Sequence, residues 1–203
     1  MARPTAFNKT ATTEREAINS ILKVWGHATG EQISAGHTWY RDAFILATKV
    51  SEIADISLER AACVIAALSP RTTWERNVVA ALAIANGEPV PATLPANVAR
   101  ANLAMTAADP WSIFTPHSRK ILNFTKNILG DESAVTVDMW ASRIAGITEI
   151  ELARAGVYEA VAHAYTRAAA HRGVSPAVMQ ATTWIIVRAT KRPQTKVVEY
   201  VHL

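Results

Sequence analysis

Cysteine is all but absent from this chain. Cys63 stands alone, which excludes an internal disulfide and any cysteine-based zinc or iron–sulfur site. It lies inside an apolar stretch of helical character and reads as a buried structural thiol rather than a nucleophile. Long apolar runs are missing as well. The longest, Ala61 to Leu68 and Val78 to Ala85, fall far short of the roughly 20 residues that span a bilayer. They read as buried helices, and no membrane association is expected. The first residues, Met-Ala-Arg-Pro-Thr-Ala-Phe, lack the apolar core of a signal peptide, so a cytoplasmic location is expected. There is no Lys/Arg tract, no glycine-rich phosphate loop and no His-Glu-x-x-His. The six histidines are dispersed, and His163 and His171 stand too far apart to meet across one helical turn. No metal and no cofactor is expected. Alternating strand patterns and internal repeats are also absent.

What is present is helix. Half of the 203 residues are hydrophobic, alanine is abundant, and alanine is the best helix former. The expectation is an all-α chain of one domain with two lobes, 1–32 with 138–203 and 33–137. Start and stop signals are frequent. Thr12 and Thr13 precede Glu14 and Glu16; Ser57 precedes an apolar helix that ends at Ser69-Pro70; Ser175-Pro176 opens the last helix. Helices are read at Ile33 to Val50, Thr73 to Asn86, His117 to Leu129 and Val157 to His171. Val135-Thr136-Val137 reads as briefly extended, Pro110 and Pro116 as bracketing a loop, and the tail after Lys191 as loose or packed as an edge segment. The net charge of +4 and pI of 9.4 suit a polyanionic partner such as DNA.

Three segments carry chemistry-bearing residues. In Leu68-Ser69-Pro70-Arg71-Thr72-Thr73-Trp74-Glu75-Arg76-Asn77, a polar junction follows the most apolar helix. One reading is a helix–helix corner with Trp74 in the core and Asn77 on the surface. The other sets Arg71, Trp74 and Asn77 at a pocket mouth, where they stack on or hydrogen-bond a base. In Val137-Asp138-Met139-Trp140-Ala141-Ser142-Arg143, Asp138 precedes a helix. It is a plain N-cap, or a carboxylate fixed beside a pocket where it stabilises an oxocarbenium-like sugar. Arg143 either meets phosphate or simply holds its helix. In Gln180-Ala181-Thr182-Thr183-Trp184, Gln180 and Trp184 share a helix face. Gln180 belongs to the surface or to a polar pocket, since a buried amide needs partners.

Taken in order, these segments resemble the endonuclease III branch of the helix-hairpin-helix DNA glycosylase superfamily. Leu68-Ser69-Pro70-Arg71 is similar to the family's Leu-Ser-x-Gln junction. Ser118-Arg119-Lys120-Ile121-Leu122-Asn123-Phe124 is similar to its Lys-bearing helix start, and Val137-Asp138 with Arg143 five residues on is similar to its catalytic Asp element. The resemblance covers roughly Ile33 to Arg188 as an order of short motifs. It departs in the hairpin, which would fall between Phe124 and Val135, where Gly130 is the one glycine. The bifunctional enzymes' catalytic Lys and the four-Cys cluster have no counterpart. Trimmed versions of this fold are typical of phage genomes, where related proteins make or process hypermodified bases.

The resemblance implies a glycosylase-type fold and a monofunctional, base-directed hydrolase, with DNA, modified phage DNA included, as partner in a host cytoplasm. Asp138 would be the catalytic carboxylate. Arg71, Trp74, Asn77, Lys120, Asn123, Trp140, Gln180 and Trp184 would line the substrate, and Arg143 would serve structure or phosphate. Two alternatives stand beside it: a base-hypermodifying enzyme on the same fold, and a non-catalytic phage protein that binds DNA or a host protein. Asn at position 138 is expected to keep the cap while removing the charge.

Overall fold

Alanine-rich apolar stretches, punctuated by Ser, Thr, Pro and Gly, form only helices among the described residues. The structure, a computed structural model, describes residues 5–191 apart from Ala92. A 3-10 turn at Thr5–Lys9 precedes α1 (Glu14–Trp25), α2 (Gly30–Ala54), α3 (Leu58–Leu68), α4 (Trp74–Ala85) and α5 (Pro95–Thr106). A second 3-10 turn, Pro110–Ile113, leads to α6 (Arg119–Ile128), α7 (Met139–Ile144), α8 (Glu149–Leu152), α9 (Val157–Arg172) and α10 (Pro176–Lys191). The expected tail beyond Lys191 lies outside the described residues. No helix among the described residues is long and apolar enough to cross a membrane.

The helix starts are set by side chains. Thr13 and Glu16 form a reciprocal capping box at α1, and Thr148 and Glu151 form another at α8. Ser57 and Thr73 cap α3 and α4, and Pro95 takes the first position of α5. α2 runs longer at both ends than the Ile33 to Val50 stretch read from the sequence. Thr29 and Gln32 bond each other's backbone N–H at 3.0 and 3.2 Å, so Gly30 sits where its own N–H needs no helical partner. Pro110–Ile113 is not a plain loop either, because Asp109 accepts from the Trp111 N–H at 2.9 Å and closes the turn. Residues 135–137 form no strand; the Val137 N–H donates to the Tyr158 hydroxyl instead.

The chain divides into two compact units, Trp39–Thr136 and Met1–Thr38 with Val137–Leu203. In the first, α3 is the centre. Every residue from Ala61 to Leu68 is buried, as expected for a helix apolar all round. Ala43, Leu46, Ala47 and Val50 of α2, Ala80, Ala81 and Ile84 of α4, Ala101 and Ala104 of α5, and Ile121, Phe124 and Ile128 of α6 join its core. Burial pushes the Cys63 thiol up to about 12, which makes it inert as a nucleophile. The Arg60 guanidinium donates to the carbonyls of Ala104, Met105 and Ala107 at 2.6, 3.1 and 2.8 Å. It thereby satisfies acceptors that the end of α5 leaves open.

In the second unit, α1, α9 and α10 pack together with α7. Ile21, Val161, Ala164, Tyr165 and Met179 are fully enclosed. Gly36 of α2 is required by proximity: a Cβ there would stand 1.9 Å from Thr182 Oγ1 and 3.1 Å from Thr182 Cα. The N-terminal segment is clasped by Glu151, which accepts from Ala11 N–H at 2.8 Å and from the Thr148 N–H and hydroxyl at 2.9 and 2.7 Å. The Thr148 backbone N–H, then that of Ala11, then the Thr148 hydroxyl hold its carboxyl down at about 2.

Candidate carboxylate site

In the unit that contains α7, two tyrosines of α9 fix the turn carrying Asp138. The Val137 N–H donates to Tyr158 Oη at 3.0 Å, and Tyr165 Oη donates to the Ala141 carbonyl at 3.2 Å. Both tyrosines are buried, and they stand two helical turns apart on one face. The backbone of Asp138 is extended, and its Oδ1 accepts the Ala141 N–H at 2.8 Å, so it is the N-cap of α7. Its other oxygen is also engaged: the Trp184 indole Nε1–H donates to Oδ2 at 3.1 Å. A cap needs only one oxygen, so the second bond, from a residue 46 positions on, adds an orientation that capping does not require.

Trp184 carries a further group. The Arg188 guanidinium carbon lies 4.5 Å from its ring centre, within cation–π range. Gln180, Trp184 and Arg188 follow each other at one-turn intervals along one face of α10. Gln180 is buried, at 4 % exposure, so the surface reading of this residue is excluded. Trp140 is half-buried, with the Arg143 guanidinium 5.5 Å from its ring centre. Arg143 also pairs with Glu149 at 2.9 Å, both side chains exposed, and so ties α7 to the start of α8. Such an exposed pair stabilises by about 1 kcal/mol at most. Arg143 therefore has the structural employment that its position in the helix allowed.

The α3–α4 junction belongs to the other unit. Arg71 is exposed, and its φ of +55° puts a non-glycine residue in the left-handed region. Trp74 is half-buried with its ring centre 5.7 Å from that of Trp39. Asn77 is 2 % exposed and donates to the Ile65 carbonyl at 3.2 Å. The corner reading had placed Trp74 in the core and Asn77 outside; Trp74 is partly buried and packs against the core, but Asn77 is buried as well. The reason is the last turn of α3, where Asn77 reaches the Ile65 carbonyl and leaves Trp74 to pack on an aromatic neighbour. Ser69 Oγ and Asn77 Oδ1 are buried without a hydrogen-bond partner among the described residues. Asn97 bonds the Leu68 and Pro70 carbonyls at 3.3 and 2.8 Å and closes the corner. On α6, Lys120 and Asn123 are half-buried, and Asn123 donates to the Arg119 carbonyl at 2.8 Å. α6 ends at Ile128, and no helix intervenes before α7 among the described residues.

Of the residues singled out by sequence, Asp138 and Trp184 are thus joined directly, with Gln180 one turn before Trp184. Trp140 and Arg143 form a second pair one turn along α7. Sequence reasoning missed the roles of Tyr158, Tyr165, Trp39 and Arg188. The seven-residue spacing of the tyrosines, two turns on one helix face, was the available signal for the clamp. Trp39-Tyr40 within α2 was the signal for an aromatic partner to Trp74.

Fold and site together define an all-helical protein with a carboxylate anchored by a backbone amide and an indole. The chain belongs to a family of unknown function, DUF7178, which it matches over residues 4–191. No curated protein and no solved structure matches it.

Proposed function

We propose that the chain is a base-directed enzyme of DNA, similar to the monofunctional helix-hairpin-helix glycosylases, with Asp138 as its carboxylate. The observation that supports this reading is the bond from Trp184 Nε1 to Asp138 Oδ2 at 3.1 Å. It unites the Asp138 turn with the Gln180–Trp184 segment of α10. In the proposed reaction the bond between C1′ and the base nitrogen breaks, positive charge grows on the sugar, water oxygen bonds to C1′, and the water's proton leaves with the base. A carboxylate held by two donors cannot swing away, and it faces the developing cation without reorganising. A carboxylate accepts in about four directions, so two directions remain for water or the sugar. The extruded base would stack on an aromatic side chain such as Trp140. The basic pI of 9.4 suits the phosphate backbone, and modified phage DNA is the first substrate to try.

The test is release of free base from modified, uracil-containing and oxidised DNA. It compares the wild type, Trp184→Phe and Trp184→Phe/Asp138→Asn. Phe keeps the aromatic platform and removes the indole donor, so Asn can enter without two donors opposing each other. Loss of on the order of a hundredfold or more between the last two supports the electrostatic role. Equal rates refute it. A second reading, a non-catalytic protein that binds DNA or a host protein, is favoured by one feature: both Asp138 oxygens already have donors. Absence of base release from every substrate by the folded wild type selects that reading.

A further inference from the structure

Arg188 is the group on α10 that the carboxylate reading leaves without a task. It is half-buried, and its guanidinium is stacked at 4.5 Å on the ring of Trp184. No carboxylate pairs with it among the described residues. A guanidinium held over an indole face has less rotamer freedom to lose on binding. It is thus prepared for an anion, and its planar fork matches two oxygens of a phosphate.

Its position gives the anion an identity. The same indole that supports Arg188 donates to Asp138. The two distances, with the reach from ring centre to indole nitrogen, keep guanidinium and carboxylate within about 10 Å, roughly one Debye length at 0.1 M salt. At that range salt screens most of the repulsion between the carboxylate and an anion held at Arg188. A nucleotide adds a second contact that a bare anion lacks, because it presents its phosphate to Arg188 and its sugar, the part that becomes cationic, to Asp138. The span between C1′ of a nucleotide and its own phosphate, with one contact at each end, falls within that limit.

We propose that Arg188, seated on Trp184, binds the phosphate of the nucleotide whose sugar faces Asp138. This rests on the carboxylate reading for the sugar, while the anion site itself is tested by binding alone. The phosphate comes from a DNA strand or from a free nucleotide, and the probes separate the two. Binding to the full chain is measured by titration calorimetry for a short single-stranded deoxyoligonucleotide, a deoxynucleoside 5′-monophosphate and the same deoxynucleoside without phosphate. Arg188→Gln retains much of the stem that lies on the indole and removes the charge; Arg188→Lys retains the charge and loses the fork. Arg188→Gln should weaken binding of the phosphate-bearing probe about tenfold or more, and leave the deoxynucleoside unaffected. For the oligonucleotide it should reduce the slope of log affinity against log salt by about 0.7. Arg188→Lys should restore the slope but only part of the affinity. An effect on the oligonucleotide alone assigns the phosphodiester, and an effect on the monophosphate as well assigns a free nucleotide.

Wild-type affinity and slope in Arg188→Gln overturn the proposal. So does failure of the wild-type chain to bind any phosphate-bearing probe. If Arg188→Gln loses binding while base release ignores Asp138, the anion site stands and the carboxylate reading falls. If base release needs Asp138 while Arg188→Gln binds normally, the reverse holds.

Discussion

Replacing Asp138 by Asn isolates charge from structure only if Asn satisfies the same neighbours, and the geometry says that it does not. Asp138 accepts from two donors, the Ala141 N–H at 2.8 Å and the Trp184 indole N–H at 3.1 Å. Asn offers one oxygen and one NH2 group. If the oxygen keeps the cap, the NH2 faces the indole N–H; if it turns to the indole, the cap is lost. Leaving a buried donor unsatisfied costs about 1–3 kcal/mol. Trp184 is half-buried, so the lower part of that range applies, about 1–2 kcal/mol. Trp184→Phe removes the same bond from the other side, with a similar loss. The two changes therefore share one interaction, and the double variant should be more stable than the sum of the single losses predicts by about 1 kcal/mol. For a chain of this length, each 1 kcal/mol corresponds to about 2–4 °C in Tm. Thermal and urea unfolding of the four proteins, followed by far-UV circular dichroism, give the cycle. Additivity within about 0.5 kcal/mol would show that the indole bond contributes nothing, and with it would go the claim that Trp184 orients the carboxylate.

Gly36→Ala should destabilise the chain by about 1–3 kcal/mol or more, because the new Cβ meets Thr182 at its backbone as well as its hydroxyl; an unchanged Tm contradicts the close approach of α2 and α10. For Glu151, the carboxyl is held at about 2 against an ordinary 4.5. Its contribution is therefore complete above about pH 4.5 and lost as pH falls toward 2. The Tm difference between wild type and Glu151→Gln should be constant above that window and vanish within it; a difference that grows on acidification refutes the clasp. Arg71→Gly should be neutral or stabilising by up to about 1 kcal/mol, since a left-handed φ of +55° strains Arg and not Gly. A clear fall in Tm would show that the Arg71 side chain holds the corner.

Much of the helix order was legible because local chemistry determines it. Ser57, Thr73 and Thr148 each have a side-chain oxygen and a following backbone N–H, and they need nothing distant to act as caps. The apolar run from Ala61 to Leu68 has no polar face, so it could only be a core helix. What was not legible depends on residues far apart in the chain. Nothing around Asn77 announces that it reaches the Ile65 carbonyl, because Asn serves equally at a surface and inside a corner. Val135 to Val137 was readable as a short extended stretch, but nothing local announces that the Val137 N–H goes to Tyr158, 21 residues on. The Thr29 and Gln32 box is readable from its spacing, although Gly30 beside it is a poor helix former.

Asp138 shows how the two readings of a carboxylate separate physically. As a cap it needs the Ala141 N–H and a chain that turns at residue 138, and both are supplied locally. The remaining contacts come from elsewhere: Tyr158 and Tyr165 grip the backbone before and after it, and Trp184 holds its second oxygen. A six-residue helix such as α7 gains little from so many anchors. They make sense when the quantity being held is the position of the carboxylate rather than the stability of the helix. Preorganisation of that kind requires that orienting side chains be fixed themselves, and both tyrosines are buried on α9 while Trp184 is covered on one face by Arg188. α7 and its cap are separable: shortening the helix without touching Asp138, Trp184 or the tyrosines should leave the site intact, and removing Trp184, Tyr158 or Tyr165 should not.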